Sequence, residues 1–104
     1  MKDIDYFEAR IRWRNLQEGG RKVIPREGAK YCPLIRMYEN ENYEEWSVCF
    51  LCPDFRKENH VKFRFLSAAA PSELLIVGNT YGIYEGNKEV AEMYIENKTK
   101  EETR

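Results

Sequence analysis

Polar and apolar residues alternate without a break along residues 7–14, which read Phe-Glu-Ala-Arg-Ile-Arg-Trp-Arg. Successive side chains of a β-strand point to opposite faces, so this pattern predicts a strand whose apolar members face a core. The outward members of this strand are then Glu8, Arg10, Arg12 and Arg14.

Shorter segments of similar character follow, separated by residues typical of turns. Strands are predicted at residues 32–38, 46–52, 61–66, 81–85 and 90–95, with a further short apolar run at 74–77. Residues 39–45 are polar and acidic, which predicts a solvated loop. Gly86-Asn87 predicts a hairpin turn between the last two strands. The charged and polar residues 96–104 predict a flexible tail.

The predicted elements indicate an all-β fold, because no apolar period of 3.6 residues extends beyond a turn or two. Several short strands separated by turns are typical of a sandwich or a barrel. A small antiparallel β-barrel also removes the open strand edges that promote aggregation. The length of 104 residues suits a single domain, which we assign to residues 1–95 with the tail at 96–104.

Charge is unevenly distributed, although the formal net charge is only -1. Residues 1–38 carry nine Lys and Arg against five Asp and Glu, whereas the remainder carries eight against thirteen. The folded chain is therefore expected to present a basic region and an acidic region.

The N-terminal residues mix charges and lack the apolar run of a signal peptide, and no segment approaches the roughly 18 apolar residues of a membrane span. The three cysteines, Cys32, Cys49 and Cys52, are an odd number, which predicts free thiols and a cytoplasmic location. These cysteines with His60 have the residue types of a zinc site. Because Cys49 and Cys52 are three apart on a predicted strand, they point to opposite faces, which favours core cysteine.

Two stretches resemble the third, C-terminal domain of elongation factor Tu. The first combines Phe7-Glu8-Ala9, Glu18-Gly19-Gly20-Arg21 and Tyr31-Cys32-Pro33, and is similar to the opening of that domain. The second, residues 81–90, is similar to its closing hairpin. The resemblance covers about residues 7–95 and implies a small antiparallel barrel.

The resemblance also implies a class of partner, because this domain of the family contacts the T-stem backbone of tRNA and packs on neighbouring protein domains. Arg21 and Lys22 match family positions that lie near RNA. The chain departs from the family at Cys32, where an arginine is usual, and at Glu92, where a small residue is usual. No Gly-x-x-x-x-Gly-Lys-Ser/Thr phosphate loop is present, so nucleotide binding is not expected and only a binding role is carried over.

We therefore predict a non-enzymatic binding module, without a cofactor, that contacts another protein through one face of its sheet. The alternative is an RNA- or tRNA-associated module whose basic face consists of Arg10, Arg12, Arg14, Arg21 and Lys22. Guanidinium groups suit phosphate oxygens, but a solvated strand face paired with glutamates has the same pattern. No nucleophile with a positioned base is evident, so no enzyme is expected.

Overall fold

Seven β-strands form the structure, a computed structural model that describes residues 3–15, 17 and 23–102, with side chains described for 6–15, 17 and 23–98. The strands are β1 (Asp3–Trp13), β2 (Lys30–Tyr31), β3 (Leu34–Glu39), β4 (Asn42–Leu51), β5 (His60–Phe65), β6 (Thr80–Glu85) and β7 (Lys88–Glu102). A single 3₁₀ turn, Ser72–Leu74, lies between β5 and β6. Within these described ranges no helix is long and apolar enough to cross a bilayer.

Six of the strands close into an antiparallel barrel. The order is β4, β3, β6, β7, β1 and β5, and β5 pairs back with β4. β2 continues the pairing register of β3 on β4, and the two are separated only by Cys32 and Pro33. Proline has no amide hydrogen to donate, which accounts for the interruption. The prediction of an all-β fold in the form of a small antiparallel barrel is confirmed.

The core lies inside the barrel, where the apolar positions of each alternating strand meet. Phe7 and Phe63 are directly opposite on β1 and β5, and their ring centroids are 5.3 Å apart. Aromatic pairs at this separation stabilise beyond their buried area. The buried apolar residues are Phe7, Ala9, Ile11, Ile35, Met37, Val48, Phe50, Cys52, Val61, Phe63, Leu75, Ile83, Val90, Ala91, Met93 and Ile95.

The segment 39–45 differs from its prediction as a loop, because it forms the end of a tight β3–β4 hairpin. β3 pairs with β4 from Leu34↔Ser47 to Glu39↔Asn42, so only two residues make the turn. Asn40 adopts a positive φ of 59°, a conformation that asparagine tolerates better than most residues. The polar composition of this segment reflects a hairpin end that is solvated on both faces.

Two other local assignments differ from the structure, and one agrees. β7 continues past residue 95 to Glu102, because its last residues pair with the start of β1. The strand predicted at residues 61–66 begins one residue earlier, because His60 is the first residue of β5. The short apolar run 74–77 overlaps the 3₁₀ turn at Leu74 and continues beyond it. The predicted turn at Gly86-Asn87 does join β6 to β7, with Gly86 at a φ of 62°.

Candidate functional site

The predicted basic face forms along the outside of β1 and continues one residue past its end. There Arg10, Arg12 and Arg14 alternate with the buried Ile11 and the half-buried Trp13. We call these three residues the arginine face. Each of them contacts a glutamate of β7, the strand that pairs with β1 along its whole length. The ion pairs are Arg10 Nε–Glu96 Oε2 at 2.8 Å, Arg12 Nη2–Glu92 Oε1 at 3.0 Å, Arg14 Nη2–Glu92 Oε1 at 3.0 Å, and a further contact of Arg14 with Glu89.

These pairs change the electrostatic character of the arginine face. The glutamates of β7 lie some 80 positions further along the chain than the arginines they contact, so the pairing is visible only once the barrel closes. Phosphate recognition depends on the release of counterions from uncompensated charge. Because carboxylates of the same sheet already neutralise Arg10, Arg12 and Arg14, the row is an ion-paired strand surface.

The other two predicted members of the basic site cannot be placed on this face. Arg21 and Lys22 lie outside the described residues. The predicted set of five is therefore represented in the described part of the structure by the arginine face alone.

The cysteines differ from their prediction as free thiols. Cys32 and Cys49 form a disulfide across the β2–β4 edge, and Cys52 is a buried free thiol in the core. Cys49 and Cys52 do point to opposite faces, as their spacing predicts. His60 Nε2 lies 3.9 Å from Glu8 Oε1 and 3.8 Å from Glu96 Oε1.

The four residues of the alternative zinc site therefore do not gather in one cluster. Bonded sulfurs offer no thiolate, and Cys52 faces the barrel interior. Among the side chains that the structure describes, no cluster of three or more His, Cys, Asp or Glu is arranged to hold a metal ion.

A second surface lies on the outer side of β3, β4 and β6, and we call Arg36, Tyr38, Tyr43, Glu45 and Tyr84 the tyrosine face. The Arg36 guanidinium carbon lies 3.9 Å from the Tyr84 ring centroid and 4.7 Å from the Tyr43 ring centroid. Arg36 Nε donates to Glu45 Oε2 at 2.7 Å. Tyr38 and Tyr43 lie side by side with ring centroids 5.3 Å apart.

Strand alternation and register assemble this surface. Ile35 and Met37 are buried, so the residues that alternate with them on β3, Arg36 and Tyr38, point outward. Arg36 is directly opposite Glu45 on β4 and Gly82 on β6. This register places the arginine between the two flanking strands.

Gly82 provides the space that the half-buried Tyr84 ring occupies. A Cβ atom at position 82 would lie 2.8 Å from Tyr84 Cε1, closer than carbon atoms approach without displacement. It would also meet the carboxylate of Glu89, which accepts a hydrogen bond from the Tyr84 hydroxyl at 3.0 Å. Glycine at this position therefore lets the ring lie against the sheet, beneath Arg36.

The electrostatics of the tyrosine face favour a charged arginine and a neutral phenol. The hydrogen bond to Glu45 raises the pKa of Arg36 above its ordinary value. Burial raises the pKa of Tyr84, and the hydrogen bond to Glu89 acts in the same direction. Arg36 therefore remains a cation in contact with two aromatic rings, whose faces attract positive charge.

The sequence pattern identified part of this surface. In the strand predicted at residues 81–85, Tyr84 alternates with Ile83, and in the structure Ile83 is buried while Tyr84 lies on the outer face. The prediction of a loop at residues 39–45 does not reveal that Tyr38 and Tyr43 are neighbours. Asn40, a residue type suited to a tight turn, is the local signal for the hairpin.

Comparisons of this chain with protein-family models, with curated proteins and with solved structures gave no match. The resemblance to the C-terminal domain of elongation factor Tu therefore stays a prediction. The geometry of the two outer faces is what distinguishes the possible functions of this barrel.

Proposed function

We propose that this chain is a binding module that docks on a basic surface of another protein through the tyrosine face. The observation that carries the proposal is the stack of Arg36 on Tyr84 and Tyr43 beside the exposed ring of Tyr38. Tyrosine and arginine are enriched among the residues that dominate binding energy in protein interfaces.

The exposure of the rings supports a docking role. Tyr38 is 60% exposed and Tyr43 is 47% exposed, and the two are directly paired across the β3–β4 hairpin. A tyrosine loses little conformational entropy when it is buried, and it presents an apolar ring together with a polar hydroxyl. Two adjacent rings therefore offer a partner a sizeable apolar area that is already ordered.

Charge around the rings selects the kind of partner. Residues 38–45 contain four glutamates and no lysine or arginine. Arg36, the nearest cation of the face, is already bound to Glu45. Glu39 and Glu41 are exposed at the turn and form no ion pair with the described residues. A partner that places arginine or lysine side chains over Tyr38 and Tyr43 gains cation–π contacts and carboxylate pairs together.

Photo-crosslinking in cells that express the protein tests this proposal directly. A photoreactive phenylalanine analogue at position 43 is compared with the same analogue at position 94. Tyr94 is a suitable control because it is 45% exposed on β7, which lies across the barrel from β4. We expect one discrete protein adduct from position 43 and none from position 94.

Charge reversal then tests the chemistry of the partner. The Glu39→Lys/Glu41→Lys variant should lose the adduct while keeping its urea unfolding midpoint, and mass spectrometry should locate the cross-link in a basic segment of the partner. An adduct that forms equally from position 94 would rule out the tyrosine face as the docking surface. An adduct from position 43 that survives the charge reversal would rule out a basic partner surface.

A further inference from the structure

The disulfide lies in a row of three residues on the outside of the barrel. β2 and β4 pair Lys30 with Leu51 and Tyr31 with Phe50, and the next pair in this register is Cys32 and Cys49. Their Cα atoms are 4.2 Å apart, close to the spacing of a directly opposed pair in an antiparallel ladder. On its other side β4 pairs Cys49 with Arg64 of β5. The row therefore reads Cys32, Cys49, Arg64 across three strands.

The two sulfurs differ in their access to solvent. Cys32 is exposed at the interruption between β2 and β3, whereas Cys49 is half-buried within β4. The third cysteine, Cys52, is buried among core side chains and takes no part in the row. An incoming thiolate therefore reaches the sulfur of Cys32 more readily than that of Cys49.

Positive charge surrounds the pair. Arg64 is directly opposite Cys49, and the exposed Lys30 and Lys62 lie on the strands that flank β4. Lys30 and Arg64 form no ion pair with any side chain that the structure describes, and Lys62 lies 4.2 Å from the ring centroid of Tyr6. A cation beside a cysteine stabilises the thiolate form. Among the described residues, the glutamates that pair with the arginine face form no ion pair with Arg64.

We propose that Cys32–Cys49 is an exchange site for a small thiol that carries an acidic group. The thiolate of the small molecule attacks Cys32 Sγ, forms a mixed disulfide there and expels Cys49 as a thiolate. A second small thiolate then attacks the small-molecule sulfur of the mixed disulfide. This step releases Cys32 as a thiolate and leaves a symmetrical small-molecule disulfide. Two cysteine sulfurs are reduced, and two small thiols are oxidised to one disulfide.

The choice of leaving group follows from Arg64. Exchange is faster when the departing sulfur is the more stable thiolate, and it depends on access to the sulfur under attack. Arg64 stabilises Cys49 as it leaves, and the exposure of Cys32 admits the nucleophile. Lys30, Lys62 and Arg64 also attract a carboxylate or sulfonate on the small thiol, so an anionic thiol is favoured over a neutral one. This inference is independent of the tyrosine face.

The site is tested by thiol–disulfide exchange on the oxidised, folded protein. Reduced glutathione is added, and the reaction is quenched with acid and alkylated before peptide mapping. We expect one glutathionyl group on Cys32 and an alkylated Cys49. Rates of opening are then compared for 2-mercaptoethanesulfonate and 2-mercaptoethanol at low ionic strength, with thiolate concentrations matched, because these two thiols differ mainly in the sulfonate.

Arg64→Gln is the informative variant, and Lys88→Gln is its matched control, since it removes one positive charge from β7, which is three strands away from β4 in the barrel. We expect Arg64→Gln to slow opening by the sulfonate thiol about three- to tenfold, as for loss of a charge from the residue directly opposite Cys49 near a surface. Lys88→Gln should change that rate by less than about twofold, because β7 is not a neighbour of β4 in the barrel.

Three results would overturn the proposal. The first is a disulfide that opens only after the protein is unfolded in denaturant. The second is equal opening rates for Arg64→Gln and Lys88→Gln. The third is a glutathionyl group found on Cys49 or Cys52 in place of Cys32. The urea midpoints of both variants, measured in parallel, show whether each retains the fold.

Discussion

The guanidinium of Arg36 lies over the ring of Tyr84, with 3.9 Å between the guanidinium carbon and the ring centroid. The same side chain donates to Glu45, so one residue of β3 contacts both strands that flank it. Only 13% of the Arg36 side chain is exposed, although it lies on the outside of the barrel. The contact therefore contributes to the packing of the sheet and also shapes the tyrosine face.

Arg36→Ala should lower the urea midpoint of unfolding and weaken the partner cross-link from position 43. The substitution removes an ion pair, two ring contacts and the apolar packing of the arginine stem. Arg56→Ala is the matched control, because Arg56 is 89% exposed and its ion-pair partner among the described residues is Asp54, two residues away. Equal midpoints for the two variants would show that the Arg36 stack contributes no more than a local surface pair.

Gly82→Ala should destabilise the barrel by about 1–3 kcal/mol, the usual cost of forcing a methyl group into occupied space. The added Cβ would meet the Tyr84 ring and the Glu89 carboxylate, so Tyr84 must leave its position beneath Arg36. Urea unfolding measures the stability. The yield of the cross-link from position 43 measures whether the tyrosine face still binds its partner. Thr80→Ala, at an exposed position of the same strand, should leave both unchanged. An unperturbed Gly82→Ala variant would mean that the ring has room to move.

Tyr84 should make the unfolding free energy depend on pH in the alkaline range. Because burial raises its pKa, the folded protein retains the phenol proton to a higher pH than the unfolded chain does. The resulting stabilisation is complete below the unfolded pKa of about 10 and is lost as the pH rises through the folded value. The stability difference between wild type and Tyr84→Phe should therefore shrink above pH 10. A difference that stays constant across this range would contradict the shift.

Local alternation was sufficient to predict the barrel strands wherever one face is buried. The pattern at residues 7–14 is realised in β1, with Phe7, Ala9 and Ile11 in the core. It failed at 39–45, where both faces of the hairpin end are polar or solvated and no alternation marks the strand. It also failed at the end of β7, because the last residues of that strand are stabilised by backbone pairing with β1 and bury little apolar area.

The candidate sites were harder to predict than the fold, because they depend on contacts between distant parts of the chain. The outward direction of Arg10 followed from local alternation, but its partner Glu96 is 86 residues away. Cys32 and Cys49 are likewise brought together by the β2–β4 register, which an odd cysteine count does not reveal. Periodicity predicts which face a side chain occupies, whereas its neighbours on that face depend on strand order.

Removal of the disulfide should lower the stability of the protein without unfolding it. The bond closes a loop with a sequence separation of 17, for which the loss of chain entropy in the unfolded state corresponds to about 3 kcal/mol. Neither Cys32 nor Cys49 belongs to the core, so Cys32→Ser/Cys49→Ser should keep the barrel. Urea unfolding with and without reductant provides the measurement. Reductant should destabilise the wild type by a similar amount and leave the double variant unaffected.

The arginine face should give little affinity for RNA, because its cations are already paired with glutamates of β7. A phosphate that binds Arg10 or Arg12 competes for the guanidinium charge with Glu96 or Glu92, which lie on the same sheet. Binding of tRNA, measured at about 50 and 200 mM salt, should therefore be weak in the wild type and unchanged in Arg10→Ala/Arg12→Ala. These two side chains are 64% and 58% exposed, so the variant should fold normally.

The reciprocal variant, Glu92→Gln/Glu96→Gln, leaves the arginines in place and removes the carboxylates that pair with Arg10 and Arg12. It should bind tRNA more tightly than the wild type, and the gain should disappear at the higher salt concentration, as expected for newly uncompensated charge. Wild-type binding that falls steeply with salt and is lost in Arg10→Ala/Arg12→Ala would instead identify the arginine face as a nucleic-acid surface. In that case the tRNA alternative would take precedence over the tyrosine face as the main binding function.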